Sequence, residues 1–136
     1  MQPIPHSPKP GIVYIVDDEE SVRNGFSLLL RSAGMECHAF SSAERFLAEV
    51  DPQPEDCVLL DITMPRMTGL ELQKELKQRR LNLPVIAISA RDDVETSLLA
   101  RQLGARFFFR KPVDDQALID AIRWVMDSNP SGPPTD

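Results

Sequence analysis

Asp17, Asp18, Asp61, Ser89 and Lys111 are scattered through the chain, yet each stands at or just beyond the end of a short apolar run. The first run ends in Asp17-Asp18-Glu19-Glu20, the third in Asp61, the fourth in Ser89 and the fifth in Lys111-Pro112. Taken singly, each has an ordinary structural explanation. Acidic residues ahead of a helix cap it and favour its dipole, and an Asp before Met64-Pro65 suits a turn. Ser89 can enter a helix, and Lys111 can be a solvated charge. Together they point to a different chemistry. Three carboxylates brought within about 4 Å repel by a few kcal/mol per pair at an effective dielectric near 20. A divalent cation relieves that repulsion, and magnesium suits hard oxygen ligands and bridges carboxylates to phosphate. Lys111 would add a fixed positive charge and Ser89 a hydroxyl donor, the groups that stabilise a transferring phosphoryl group. Asp61 is then the candidate nucleophile.

These residues need a scaffold that gathers strand ends on one rim. The runs "GIVYIV" (11–16), "MECHAF" (35–40), "CVLLD" (57–61), "VIAIS" (85–89) and "RFFF" (106–109) read as strands. Four are almost continuously apolar, as in parallel sheets covered on both faces. Helical spacing fills the intervals. Val22, Phe26, Leu29 and Leu30 form one stripe that Gly34 would terminate, and Leu118, Ala121, Ile122 and Val125 form another. Ser41 with Glu44, and Thr68 with Glu71, fit capping boxes for helices in the forties and from about residue 69. Val94, Leu98 and Leu99 mark a weaker helix ending at Gly104. Strand and helix thus alternate five times, which predicts an α/β fold, a (βα)5 doubly wound parallel sheet. In such sheets ligands bind beyond the carboxyl ends of the strands, at a switch in strand order.

Bulk properties agree. The chain has 136 residues, 42% of them hydrophobic and 26% charged, which fits one globular domain without staples. Proline-rich stretches at 1–10 and 128–136 read as a flexible lead and a flexible tail or shortened linker, leaving 11–127 as the domain. Cys37 and Cys57 have no zinc or redox spacing and read as small buried hydrophobes. A net charge of -6 disfavours a large nucleic-acid surface. No apolar run is long enough to cross a bilayer, and the N-terminus lacks a signal-peptide pattern, so a cytoplasmic location is the default expectation.

The ordered segments "VDDEESVR", "LLDITMPRMTGLEL", "PVIAISA" and "FFFRKP" resemble the receiver domain of bacterial two-component response regulators, from about Gly11 to Asp127. The resemblance implies the strand order 2-1-3-4-5. It assigns Asp61 as the phosphorylated aspartate, Asp18 as the direct magnesium ligand and Asp17 as its neighbour acting through water. Asp61 and the backbone carbonyl of Thr63 complete the implied metal set. Ser89 matches the switch hydroxyl, Lys111 the lysine that pairs with the phosphoryl group, Pro112 a cis proline, and Phe108 the aromatic switch residue. Phe107 and Phe109 read as core, because alternate strand residues face opposite ways. Departures from the commoner family pattern are Ser89 for threonine, Val113 for phenylalanine, and Arg91 in the loop after the switch. Thr63 and Arg91 occupy the positions that tune hydrolysis in the family. The segment "FSSAERFLAEV" is similar to the FixJ-like branch, in which a receiver precedes a helix-turn-helix DNA-binding domain.

The resemblance implies a partner, a sensor histidine kinase, and a homodimer through the face of helix 4 and strand 5. DNA contact would come only through a separate output domain. Two other classes compete. Magnesium-dependent phosphohydrolases of the haloacid-dehalogenase type carry a second Asp two residues after the nucleophile, where this chain has Thr63. A docking module of the same fold would lack one of the site residues, and none is missing. Flavodoxin-like cofactor binding is disfavoured, since no Gly-rich loop follows the first strand.

Overall fold

The computed structural model describes residues 11–64, 66–90 and 94–127. Pro65, Arg91 and the two terminal stretches lie outside the described residues. Along the chain run β1 (Ile12–Val16), α1 (Glu20–Ser32), β2 (Glu36–Phe40), α2 (Ala43–Glu49), β3 (Cys57–Asp61) and α3 (Gly69–Gln78). They are followed by β4 (Val85–Ser89), α4 (Val94–Gln102), β5 (Ala105–Arg110) and α5 (Asp115–Asp127). The strands form one five-stranded sheet in the order β2-β1-β3-β4-β5, with every pairing parallel. The order reverses between β1 and β3. Asp61 ends β3 at that switch point, and Asp17 and Asp18 follow β1 beside it.

The central strands are buried on both faces, as their continuous apolar sequences require. Every residue of β3 and β4 is buried. Tyr14, Val16, Val58, Leu60, Val85 and Ala87 face one layer, with Phe46, Leu72, Leu76 and Ala100 from the helices. Val13, Ile15, Leu59, Ile86 and Ile88 face the other, with Leu30, Leu118, Ala121, Ile122 and Val125. Fully burying each such aliphatic side chain contributes about 1.5–3 kcal/mol. Cys37 and Cys57 lie in this second layer, both buried and free, as their spacing suggested. Burial, reinforced by Asp56, pushes the Cys57 thiol up to about 12, so it is inert as a nucleophile at neutral pH.

Local signals fix several boundaries. Thr68 caps α3 with the anticipated box: its hydroxyl accepts from the Glu71 N–H, and the Glu71 carboxylate accepts from the Thr68 N–H at 2.8 Å. The start of α2 differs from the expected Ser41–Glu44 box. Ser42 is the cap, accepting from Arg45 N–H at 3.1 Å. With Ser42 as cap the third helical position is Arg45, which cannot close a box, and Glu44 serves the helix dipole instead. Gly34, at φ 81°, closes α1 in the left-handed conformation that glycine adopts without strain.

At the sheet edge β5 carries a register irregularity between Val85 and Ile86 of its partner strand, so that Ile86, Ala87 and Ile88 oppose Phe107, Phe108 and Phe109. Phe108 accordingly packs on the layer of α2 and α3, and Phe107 and Phe109 on the layer of α1 and α5. The alternation holds, but Phe107 and Phe109 are half-buried rather than core. They belong to an edge strand, where the two rings stack at 6.1 Å and Trp124 meets Phe107 edge-on.

A polar centre at the opposite end of the sheet was not signalled by the sequence. Buried Asp56 accepts from the N–H groups of Ile12 and Gln53, both at 2.9 Å, and from the Tyr14 hydroxyl at 3.3 Å. It ties β1 to the loop before β3 and plays no part in the acidic rim.

Candidate functional site

The acidic rim is built on backbone that leaves little freedom. Asp61 is the last residue of β3, buried, with its Oδ1 accepting from the Thr63 N–H at 3.0 Å and the Thr63 hydroxyl at 3.2 Å. Gly69 permits the helix that follows to sit directly on this strand end. A Cβ there would lie 2.5 Å from the Asp61 carbonyl oxygen and 2.7 Å from the Ile62 Cα. Only glycine lets α3 begin so close.

Asp17, also buried, is held from three directions. Its Oδ1 accepts from the Glu19 N–H at 2.9 Å, its Oδ2 accepts from Lys111 Nζ at 3.1 Å, and its carbonyl accepts from Arg23 at 2.8 Å. Asp18 is exposed, yet one carboxylate oxygen each from Asp17, Asp18 and Asp61 lies within 4.8 Å of the others. Lys111 reaches into the same space, with Nζ 3.5 Å from Glu19 and 3.7 Å from Asp61 Oδ2. Its backbone N–H donates to the Ser89 carbonyl at 2.8 Å, and the Lys111–Pro112 peptide is cis, as expected. Ser89 itself is fully buried at the end of β4.

Electrostatically, the carboxylates outnumber the ammonium. Burial pushes the Asp61 carboxyl up, to about 6; Asp17 adds to that, while the Thr63 donors and Lys111 oppose it. Burial also works against the Lys111 charge, but Asp61, Asp17 and Glu19 outweigh it and raise the lysine above its ordinary value. An ionised Asp61 is thus under-compensated by its surroundings. The hard-oxygen donor set and its surplus of negative charge fit a divalent cation.

The structure therefore gathers Asp17, Asp18, Asp61 and Lys111 in one pocket and sets Ser89 on the adjoining strand end. Phe108 lies within the sheet behind it, packed on the same apolar layer as Ala87 and Ala100. Sequence reasoning gave no role to Arg23 or Glu19. The only signal was their placement after the acidic pair, since Arg23 lies six residues beyond the carbonyl it binds. Beside Lys111, an apolar groove of about 820 Å³ runs between Val22, Phe26 and Leu29 of α1 and Pro112-Val113.

A doubly wound parallel sheet with a carboxylate-rich crevice at its switch point defines a flavodoxin-like α/β protein of the receiver type. The chain belongs to the response regulator receiver domain family, whose model matches residues 13–123. It is 38% identical over 117 residues to the response regulator protein TodT of Pseudomonas putida, covering 86% of this chain and 52% of TodT. With the transcriptional regulatory protein FixJ of Azorhizobium caulinodans it shares 39% identity over 111 residues, covering 82% of this chain and 53% of FixJ. The solved structure of the response regulator StyR superposes with a TM-score of 0.83 at 39% identity, covering 90% of this chain and 62% of StyR. The chain thus spans about half the length of the curated relatives TodT and FixJ. Its function is that of a response-regulator receiver domain.

Proposed function

We propose that Asp61 is the phosphoacceptor of a phosphorylation switch that draws its phosphoryl group from a sensor histidine kinase. The observation that carries this reading is the placement of the Asp61 carboxylate 3.7 Å from Lys111 Nζ and within 4.8 Å of the Asp17 and Asp18 oxygens. Asp17, Asp18 and Asp61, with the Thr63 carbonyl, would hold magnesium. When bound, magnesium neutralises the carboxylates and draws in the oxygens of the incoming phosphoryl group.

The side chains then divide the work. Thr63 holds Asp61 Oδ1 through two donors, which leaves Oδ2, the oxygen facing Lys111, as the nucleophile. Arg23 and Glu19 fix the Asp17 backbone and carboxylate. Lys111 gives a positive charge to the developing phosphoryl oxygens. A phosphoryl group on Asp61 adds charge and acceptor oxygens that the Ser89 hydroxyl can meet, and Phe108 repacks as β4 and α4 adjust. Arg91 and Thr63 tune the hydrolysis that ends the signal. We assign the donor protein's docking surface to the apolar groove beside Lys111, since Lys111 lines the groove and also faces Asp61.

The output face is α4 with β5. Val94 and Leu98 are 75% and 54% exposed, more than an unpartnered helix needs. We assign this face to homodimerisation of the phosphorylated form. DNA contact is assigned to a separate output domain, and regulation of transcription is the expected output, since FixJ is named a transcriptional regulatory protein and the relative NtrC of Salmonella typhimurium a DNA-binding transcriptional regulator. No described helix is long and apolar enough to cross a membrane, and a cytoplasmic location is proposed with the rest.

The protein turns over no external substrate; it catalyses only its own phosphoryl transfer and dephosphorylation. Against the phosphohydrolase alternative, the residue two beyond Asp61 is Thr63, which has no acid or base to offer a leaving group. Incubation with magnesium and generic phosphomonoesters tests this point: sustained multiple turnover would overturn the switch reading. A small phosphodonor with magnesium should add one phosphoryl mass to the chain and none to Asp61→Asn.

A further inference from the structure

The contact between α3 and α4 contains a polar side chain that packing alone does not explain. Gln73 of α3 is 1% exposed. Its Nε2 donates to the Ala100 carbonyl at 2.9 Å, while its Oε1 is buried without a hydrogen-bond partner. An apolar side chain of similar volume would fill the space and avoid the unpaired oxygen. The amide must therefore be judged by the bond it makes.

That bond lies at the end of a helix. Carbonyls in a last turn have no intrahelical partner. In α4 those of Leu99 and Arg101 are taken by the Leu103 and Gly104 N–H groups, and that of Ala100 by Gln73. The side chain of another helix thus contributes to the C-terminal capping of α4.

α4 adds the fewest residues to the apolar clusters: Ala100 is its one member, whereas α1, which also has a single buried residue, Leu30, adds Phe26 and Leu29. Ala100 is its single buried residue, whereas α3 buries Gly69, Leu72, Gln73 and Leu76, and α5 buries five residues. Val94, Leu98 and Leu99 are exposed. Segments with few buried apolar contacts open first, so a directional bond from a buried side chain of α3 matters to how firmly α4 is fixed. Ala100 also shares its apolar cluster with Phe108, and α4 is the element that follows Ser89.

We propose that Gln73 is a positioning residue that tethers α4 to α3 while Asp61 is a plain carboxylate, and that release of this tether favours the arrangement in which Ser89 and Phe108 respond to a phosphoryl group. The proposal rests on the reading of Asp61, Ser89 and Phe108 given above. Its logic is a population shift: a group bound only by the second arrangement gains apparent affinity when the first is weakened.

The test uses the full chain with Gln73→Met, which keeps length and flexibility but has no donor, and Gln73→Leu as a second variant should the first fail to fold. Two readouts are compared with the unsubstituted chain. Hydrogen exchange of α4 amides should accelerate about fivefold, with α3 and α5 amides unchanged. The apparent affinity for beryllium fluoride with magnesium, a phosphoryl mimic, should tighten about fivefold, the effect of one net hydrogen bond. Unchanged α4 exchange would overturn the tether. Faster α4 exchange with unchanged or weaker mimic binding would overturn the coupling and leave Gln73 a merely structural cap. Failure of the unsubstituted chain to bind the mimic would overturn the Asp61 reading and the coupling with it, and the exchange result would still judge the tether separately.

Discussion

Asp61→Asn should stabilise the fold when divalent cations are chelated, and the gain should vary with pH. Burial, with Asp17 adding and the Thr63 donors and Lys111 opposing, moves the carboxyl from 3.8 to about 6. The native chain therefore holds this proton more tightly than the unfolded chain does. The stabilising contribution is full below pH 3.8 and is lost as the pH rises through about 6, beyond which the ionised carboxylate is a standing penalty. A shift of roughly two units at about 1.4 kcal/mol each makes that penalty about 3 kcal/mol near pH 8 and about half as much near pH 5. Asparagine retains an oxygen for the Thr63 N–H and removes the charge facing Asp17. Urea unfolding in a chelator should show the variant more stable by about 2–3 kcal/mol near pH 8 and by under about 1 kcal/mol near pH 4. A gain that is equal at both pH values, or a loss near pH 8, would refute the electrostatic account of the pocket.

Other outcomes follow from particular contacts. Gly69→Ala places a Cβ against the Asp61 carbonyl and the Ile62 Cα, and should destabilise by about 1–3 kcal/mol in thermal unfolding while slowing phosphorylation of the displaced Asp61. Lys111→Met removes the cation at 3.1 Å from Asp17 and 3.7 Å from Asp61. With a small phosphodonor its labelling rate should fall about a hundredfold or more, whereas a rate within a few-fold of the original would remove Lys111 from the mechanism. Leu98→Asp introduces a charge on the exposed face of α4 and should abolish the dimer formed on phosphorylation without changing the melting temperature of the monomer, as sedimentation would report.

Much of this site was legible because strand ends are local features. An apolar run that stops at a carboxylate states where Asp61 lies, and the Thr68–Glu71 box states where α3 begins. The parallel sheet then brings the strand ends together whatever their sequence separation. Contacts between residues far apart in the chain are another matter. Lys111 meets Asp17 across 94 residues, and Gln73 meets Ala100 across 27. Neither pairing leaves a local signal. The same holds for Arg23, which serves a backbone carbonyl, and for Asp56, two of whose three partners lie on β1. The misplaced cap of α2 has a smaller cause: two adjacent serines fit equally, and the Arg45 N–H chose Ser42. For Phe107 and Phe109 the alternation was readable but the depth was not, because an edge strand is covered on its faces and open at its side.

The central claim is that Asp61 accepts a phosphoryl group through the surrounding pocket. Intact mass and peptide mapping after incubation with a small phosphodonor and magnesium test it most directly. The account predicts a single acid-stable, base-labile phosphoryl adduct on the peptide containing Asp61, dependent on magnesium and absent from Asp61→Asn. No adduct, or one that persists in Asp61→Asn, would contradict it.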